Sequence, residues 1–188
     1  MEPVEINAGE YYLRAFRNDD RISDVAALVE IHADPSTARY MNRMIISGPP
    51  AAEMFIQFMT MGWEKGYRFS WAVCDAVSGD LVAGLIFHNI DRHLSSAEVT
   101  CWTHPAHRGK GVLPRALDAA LGWVFGPGEM QRIVYKHAVF NTSSQRVPEK
   151  CGFTLEGRLR GSDVIDDQHV DELQWSRLAT DPVPEQLP

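Results

Sequence analysis

The stretch Trp102–Leu121, WTHPAHRGKGVLPRALDAAL, decides the fold, because a short glycine loop joins an apolar run to an amphipathic helix. Gly109 and Gly111 lie where the chain must turn from a strand into that helix, and glycine tolerates unusual dihedrals and close approach of a ligand. The first turn of a helix offers free N–H groups and the positive end of the macrodipole. The stretch therefore predicts an anion-binding loop for a phosphate or pyrophosphate, with Arg108 and Lys110 adding charge. The apolar stripe of the helix comprises Leu113, Ala116, Leu117, Ala120, Leu121 and Val124.

The loop resembles a known cofactor-binding motif. Arg108–Leu113 reads Arg-Gly-Lys-Gly-Val-Leu and is similar to the Arg/Gln-x-x-Gly-x-Gly/Ala pyrophosphate loop of the GCN5-related N-acetyltransferases (GNAT). Leu113 departs from the pattern, since the family prefers Gly or Ala there. The spacing fits neither a Walker phosphate loop nor a complete dinucleotide fingerprint. Taken alone, the loop could also be a plain strand-to-helix turn.

A second segment, Asn141–Gly157, makes the resemblance much more specific. It reads NTSSQRVPEKCGFTLEG and resembles a motif of the RimJ/RimL-type branch, which acetylates protein N-termini and small amines. The resemblance covers about Tyr11 to Asp181 and implies acetyl transfer from acetyl-CoA to a primary amine. The matching positions are Asn141, Ser144, Arg146, Val147, Glu149, Lys150, Gly152, Phe153, Glu156 and Gly157.

The order of predicted elements indicates an α/β protein. Apolar periodicity predicts a strand, two helices, three antiparallel strands, a helix, a strand, a helix and two closing strands. The resemblance implies a single mixed, mostly antiparallel central sheet flanked by helices, the GNAT fold. We expect one domain over residues 1–188, with its core at about 11–181 and short loose tails at both ends. Residues 36–48, which include Arg43, are predicted to be irregular, and the resemblance implies that they line the acceptor pocket.

The resemblance also implies roles for individual residues. Glu98, on the strand that leads into the loop, is the candidate general base, and Ser144 is the candidate acid that protonates the departing thiolate. Pro148 falls inside the helix that Asn141 starts, so we expect a kink that could shift Ser144. The residues expected to bind acetyl-CoA are Trp102, Thr103, Arg108, Gly109, Lys110, Gly111, Val112, Leu113, Asn141 and Ser144.

The composition argues against several other kinds of protein. The chain has 188 residues, a formal net charge of −7 and no basic tract, which argues against a nucleic-acid partner. No apolar run reaches the roughly 18–20 residues of a membrane span, and the N-terminus does not resemble a signal peptide. Three cysteines without CxxC spacing indicate buried thiols in a cytoplasmic protein. His104 and His107 lack further ligands, so no metal site is expected.

Three hypotheses stay open at this level. The first is an N-acetyltransferase whose acceptor is a peptide or protein N-terminus or an amine-bearing small molecule. The second is a transferase that uses another acyl-CoA, such as succinyl-CoA. The third, motivated by Leu113 and Pro148, is a non-catalytic acyl-CoA-binding regulatory module. The sequence leaves homodimerisation open, and it predicts a solvated turn at Asp163, Asp166 and Asp167, which could attract a cationic acceptor.

Overall fold

A computed structural model describes residues 2–41 and 44–184. These residues form a central sheet with helices on both faces. The strands are β1 (Ile6–Ala8), β2 (Tyr11–Arg14), β3 (Phe69–Asp75), β4 (Leu81–Asp91), β5 (Ser96–Thr103), β6 (Arg132–Ala138), β7 (Thr154–Ile165) and β8 (Gln168–Leu178). The helices are α1 (Val25–Ala33), α2 (Pro35–Tyr40), α3 (Pro49–Lys65), α4 (Val112–Phe125) and α5 (Thr142–Lys150).

The eight strands lie in the order β1-β2-β3-β4-β5-β6-β8-β7. Every neighbouring pair is antiparallel except β5 and β6, which run parallel. This arrangement confirms the predicted α/β class with a single mixed, mostly antiparallel sheet. The helix α4 makes the crossover that a parallel pair requires.

The central strands of the sheet are buried on both faces, which explains the nearly continuous apolar sequence of β4. Side chains alternate along each strand. Trp71 and Phe87 pack with α4 on one face, whereas Ala72 and Ile86 pack with α1 and α3 on the other. No helix among the described residues is long and apolar enough to cross a bilayer.

A buried ion pair fixes the start of α1 against the sheet. The Arg14 guanidinium donates to both carboxylate oxygens of Asp24 at 2.8 Å, and each side chain is only 3% exposed. The Asp24 carboxylate also accepts from the backbone N–H of Arg17 at 2.8 Å. Because a buried charge is costly without a partner, this pair makes the position of α1 depend on both residues.

The parallel strands β5 and β6 separate where the functional site lies. Their pairing runs from Ser96 with Arg132 to Val99 with Tyr135. Beyond Val99, β5 continues to Thr103 along β4, and β6 continues to Ala138 along β8. Across these described strands the sheet is therefore splayed, and the opening between β5 and β6 gives access to its centre.

The structure differs from the sequence prediction in three segments. Residues 35–40 form helix α2, although this part of 36–48 was expected to be irregular; Arg43 lies outside the described residues. Residues 6–8 join the sheet as β1, whereas a loose N-terminal tail was expected. The closing strands extend to residues 165 and 168, so the turn is shorter than expected and does not include Asp163. The last four residues of the expected C-terminal tail, 185–188, also lie outside the described residues.

Candidate active site

Two clefts meet in the opening between β5 and β6. The first, of about 510 Å³, lies beside the glycine loop and the start of α5, and we call it the cofactor cleft. The second, of about 600 Å³, is bounded by α2, α3 and the β7–β8 hairpin, and we call it the acceptor cleft. The residues that line both are Tyr40, Met41, Cys101, Tyr135, Asn141 and Ser144. Three of these, Cys101, Tyr135 and Ser144, we call the junction.

The glycine loop forms one end of the cofactor cleft. Gly109 and Gly111 have φ values of 74° and 75°, a conformation that side chains rarely adopt. A Cβ added to either glycine would meet nothing within 4 Å, so backbone conformation and not crowding favours glycine. The first intrahelical bond of α4 runs from Arg115 N–H to the Gly111 carbonyl. The amides of Val112 and Leu113 therefore precede the helical hydrogen-bond ladder, as an anion-binding loop requires.

The two cationic residues of the loop have different surroundings. The Arg108 Nη2 donates to the Asp34 carboxylate at 2.5 Å and to the Thr37 hydroxyl at 2.9 Å. This contact lowers the pKa of Asp34, chiefly through the hydrogen bond from Arg108. Lys110 is exposed and does not line the cofactor cleft, unlike Arg108. Arg108 therefore connects the loop to α2, and its charge is shared with Asp34.

The junction is organised by the side chain of Tyr135. Its hydroxyl lies 2.8 Å from Ser144 Oγ and 3.3 Å from Cys101 Sγ. Tyr135 is 3% exposed, and burial raises its pKa well above the ordinary value. Burial also raises the pKa of the Cys101 thiol to about 11, so at neutral pH this thiol is protonated. Both groups therefore stay neutral beside Ser144.

Ser144 is held in the first turn of α5. The Asn141 side chain accepts from the Ser144 N–H at 3.2 Å, which is the helix cap that the sequence predicts. Pro148 lies inside α5, but the helix continues to Lys150, and Cys151 N–H still reaches the Val147 carbonyl. The proline removes only the bond to the Ser144 carbonyl. Ser144 lies at the junction, where it lines both clefts.

A row of polar side chains lies in the acceptor cleft across β4, β5 and β6. Glu98 faces His88 in the β4–β5 register and forms an ion pair of 2.9 Å with Lys136. His88 Nε2 lies 2.8 Å from the Thr100 hydroxyl. Burial lowers the pKa of His88, although the negative charge of Glu98 opposes this, so the imidazole is neutral at neutral pH. Glu98 thus lies in the acceptor cleft and outside the cofactor cleft.

The β7–β8 hairpin brings two further carboxylates to the acceptor cleft. Asp163 pairs with Val170 in the hairpin and lines the cleft, so it is not part of the solvated turn expected from the sequence. The turn comprises Asp166 and Asp167, both with positive φ. Glu172 lines the same cleft and accepts from the Ser162 hydroxyl at 2.8 Å.

Comparison with known proteins shows which family has this sequence and fold. Residues 11–154 match the family described as "Acetyltransferase (GNAT) domain". The chain belongs to the GNAT acetyltransferase family. It is 30% identical to the ribosomal-protein-serine acetyltransferase of Escherichia coli strain K12 over 123 residues, which cover 65% of this chain and 68% of that protein. The resemblance to the RimJ/RimL-type branch is therefore confirmed.

Solved GNAT structures share the whole fold. RimL, the ribosomal L7/L12 α-N-protein acetyltransferase, in complex with coenzyme A has a TM-score of 0.81 at 20% identity, with 93% of this chain and 98% of that chain covered. An acetyltransferase from Salmonella typhimurium, described as modifying the N-terminal serine of ribosomal protein L7/L12, also has a TM-score of 0.81 at 20% identity, with 93% and 99% covered.

As a GNAT acetyltransferase, the chain uses acetyl-CoA as its co-substrate. The cofactor cleft fits this molecule, because the glycine loop offers free backbone amides at one end and the junction offers neutral hydrogen-bonding groups at the other. The expected binding residues that line this cleft are Trp102, Thr103, Arg108, Gly109, Gly111, Val112, Leu113, Asn141 and Ser144.

Several residues that line the clefts of this GNAT protein were not found from the sequence. Tyr135 lies in an alternating strand, where its ring is expected to be a core residue, and no local pattern shows its contact with Ser144. Asp163 was assigned to a turn because the length of the hairpin was underestimated. Arg68 lines the acceptor cleft just before β3, and no motif marks it.

Proposed function

We propose that this GNAT enzyme acetylates the α-amine of a protein or peptide N-terminus. The continuity of the two clefts at the junction carries the proposal, since an amine in the acceptor cleft can reach a thioester in the cofactor cleft. The acceptor cleft, at about 600 Å³, has room for several residues of an extended chain. The similar proteins are named as acetyltransferases of ribosomal proteins, and these names support a protein acceptor here as well. Such an acceptor would place the reaction in the cytoplasm.

The glycine loop and Asn141 hold the co-substrate in this proposal, with Arg108 at the rim of the cleft. Acetyl-CoA supplies the acetyl thioester when it is bound. The Ser144 hydroxyl lies at the junction and donates a proton to the departing sulfur, then regains one from solvent, while Tyr135 holds that hydroxyl in place. Because the protein aligns the amine with the thioester, no covalent acetyl-enzyme is needed.

The acceptor amine must lose a proton before or during attack, since a protonated amine has no free electron pair. Glu98 is the proposed base and acts through water, because its carboxylate is in the acceptor cleft and is paired with Lys136. Neutral His88 lies next to Glu98 and can accept the proton in turn. The base role of Glu98 and the acid role of Ser144 are tested by the variants described below.

The junction favours acetyl over a charged acyl group. A succinyl carboxylate needs a cationic partner near the thioester, but Cys101, Tyr135 and Ser144 are all uncharged at neutral pH. A purely regulatory binding module does not require a serine hydroxyl aligned with a buried tyrosine. The contact of Ser144 with Tyr135 therefore favours catalysis over binding alone.

A thiol-release assay with acetyl-CoA tests the proposal. Peptides with a free N-terminal serine or alanine are compared with the same peptides carrying an N-formyl group, and mass spectrometry locates the acetyl group. We expect release only with free α-amines, and loss of most of it in Glu98→Gln and Ser144→Ala. Gln145→Ala is the control, because it removes only a surface hydrogen bond to Glu149 on the same helix. Acetylation of lysine side chains alone, or of no peptide, would contradict the proposal.

A further inference from the structure

Arg68 is held in a fixed position at one side of the acceptor cleft. A Cβ added to Gly62 of α3 would lie 2.7 Å from Arg68 Cβ, so the helix leaves room for the stem of this arginine only because residue 62 is glycine. The guanidinium carbon lies 4.4 Å from the ring centroid of Phe58, within the range of a cation–π contact. The helix and the aromatic ring thus orient the guanidinium before any ligand binds.

Arg68 has no anionic partner within the part of the chain that the structure describes. Its side chain takes part in no ion pair or hydrogen bond there, and its Nε is buried without an acceptor. Burial lowers the pKa of Arg68, although a guanidinium stays charged at neutral pH. Lys136, another cation of the cleft, is paired with Glu98. A partly desolvated, unpaired guanidinium gains more from an anionic ligand than a solvated one does.

The charges of the cleft are separated in space. Arg68 lies at the β3 side, whereas the carboxylates of Asp163 and Glu172 come from the β7–β8 hairpin at the opposite side of the sheet opening. An acceptor that carries a cationic amine at one end and an anion at the other would match this polarity. Such complementary charges orient a ligand as well as attract it.

The sheet register gives the spacing between Arg68 and the junction, where the amine reacts. Arg68 precedes Phe69, which pairs with Phe87, so Arg68 lies beside His88, and His88 pairs with Glu98. Cys101 of the junction is three residues further along β5. Two strand spacings of about 4.8 Å and three residues of about 3.3 Å place the backbone of Arg68 roughly 14 Å from that of Cys101. The arginine side chain shortens the gap, so its guanidinium reaches to roughly 10 Å from the junction. An extended peptide spans that distance in about three residues.

We propose that Arg68 binds a carboxylate of the acceptor about three residues from the reacting amine, so that the enzyme selects acidic peptide N-termini. This selectivity rests on the proposed N-terminal acetylation. The carboxylate is that of an Asp or Glu side chain near position 3, or the C-terminal carboxylate of a short peptide. Arg68 acts in binding and takes no part in proton transfer.

Matched peptides test the selectivity. C-terminally amidated hexapeptides with the N-terminus Ser-Ala carry Asp or Asn at position 3, and a further pair carries Asp or Asn at position 6. We expect kcat/KM to be about 10-fold higher for Asp than for Asn at position 3, the lower end for a hydrogen-bonded charged group. The preference should be small at position 6. Tripeptides with a free or an amidated C-terminus test the other source of the carboxylate.

Variants assign the preference to Arg68. Arg68→Gln should reduce the Asp-to-Asn ratio to about 1, and Arg68→Lys should retain part of the ratio. Arg21→Gln removes the same charge from an exposed position outside the cleft and should keep the full ratio. Thermal unfolding of each variant verifies that it is folded.

The outcomes separate the two proposals. If the Asn peptides are acetylated and wild type shows no preference for Asp, or if Arg68→Gln keeps that preference, the Arg68 inference is wrong while N-terminal acetylation stands. If no peptide is acetylated at all, the proposed function fails and the inference falls with it.

Discussion

Replacing Tyr135 by phenylalanine tests how the junction works. The substitution removes only the hydroxyl that contacts Ser144 Oγ at 2.8 Å and Cys101 Sγ at 3.3 Å, and it keeps the aromatic ring in the core. The proposal gives the two hydroxyls different tasks. Ser144 transfers the proton, and Tyr135 positions Ser144.

The two tasks predict different magnitudes. A neutral hydrogen bond contributes about 0.5–1.5 kcal/mol, so loss of the Tyr135 hydroxyl should slow the chemical step about 2- to 12-fold. Loss of a general acid costs about 10²- to 10⁴-fold, so the chemical step of Ser144→Ala should be at least about eight times slower than that of Tyr135→Phe. Because both variants affect one proton path, the double variant should match Ser144→Ala within about 2-fold.

Single-turnover acetylation with saturating acetyl-CoA measures the chemical step without interference from product release. Steady-state KM for acetyl-CoA should change little in Tyr135→Phe, since this hydroxyl is proposed to act on Ser144. The pH profile should also keep its alkaline limb, because burial raises the pKa of Tyr135 far above the assay range. A loss in Tyr135→Phe as large as in Ser144→Ala would refute this assignment and make Tyr135 the acid.

Three further predictions concern binding and stability. Gly111→Ala should weaken acetyl-CoA binding in calorimetry, because alanine at φ 75° costs about 1–2 kcal/mol and distorts the loop. Asp24→Asn leaves a buried guanidinium unpaired and should lower stability by about 3–5 kcal/mol, or roughly 6–20 °C in Tm, whereas Asp19→Asn in an exposed pair should have little effect. Burial lowers the pKa of His32 and His137, so the unfolded chain binds protons more readily, and the free energy of unfolding in urea should fall as pH falls from about 7.5 to 5.5.

The sequence predicted the cofactor cleft better than the acceptor cleft, and the reason is physical. The loop at Arg108–Leu113 and the start of α5 at Asn141 are local structures, in which backbone dihedrals and a helix cap depend on a few adjacent residues. Short motifs therefore place both of them. The acceptor cleft is assembled from α2, α3 and a hairpin that are distant in sequence, and no periodic pattern shows which side chains meet there.

Arg68 and Tyr135 illustrate what a sequence alone does not show. The significance of Arg68 depends on the lack of a partner within the described residues, and that can be judged only when every neighbouring side chain is placed. The Tyr135 contact with Ser144 joins a strand to the following helix, and in sequence both residues fit ordinary structural roles. Glu98 is at the position that the motif suggests, yet its ion pair with Lys136 follows from the pairing of β5 with β6.

Helix α2 shows why the sequence did not predict the structure of the segment that it occupies. It also shows why this segment matters to both clefts. With six residues it is too short for a periodic signal, so its helical form depends on the Asp34 cap and on Pro35 in its first turn. At its N-terminus Asp34 binds Arg108 of the glycine loop, and near its C-terminus Arg39 binds Asp166 of the hairpin at 2.7 Å. The same helix therefore contacts the cofactor side and the acceptor side. An anion that competes for Arg108 would weaken the attachment of the helix to the glycine loop and leave its attachment to the hairpin in place.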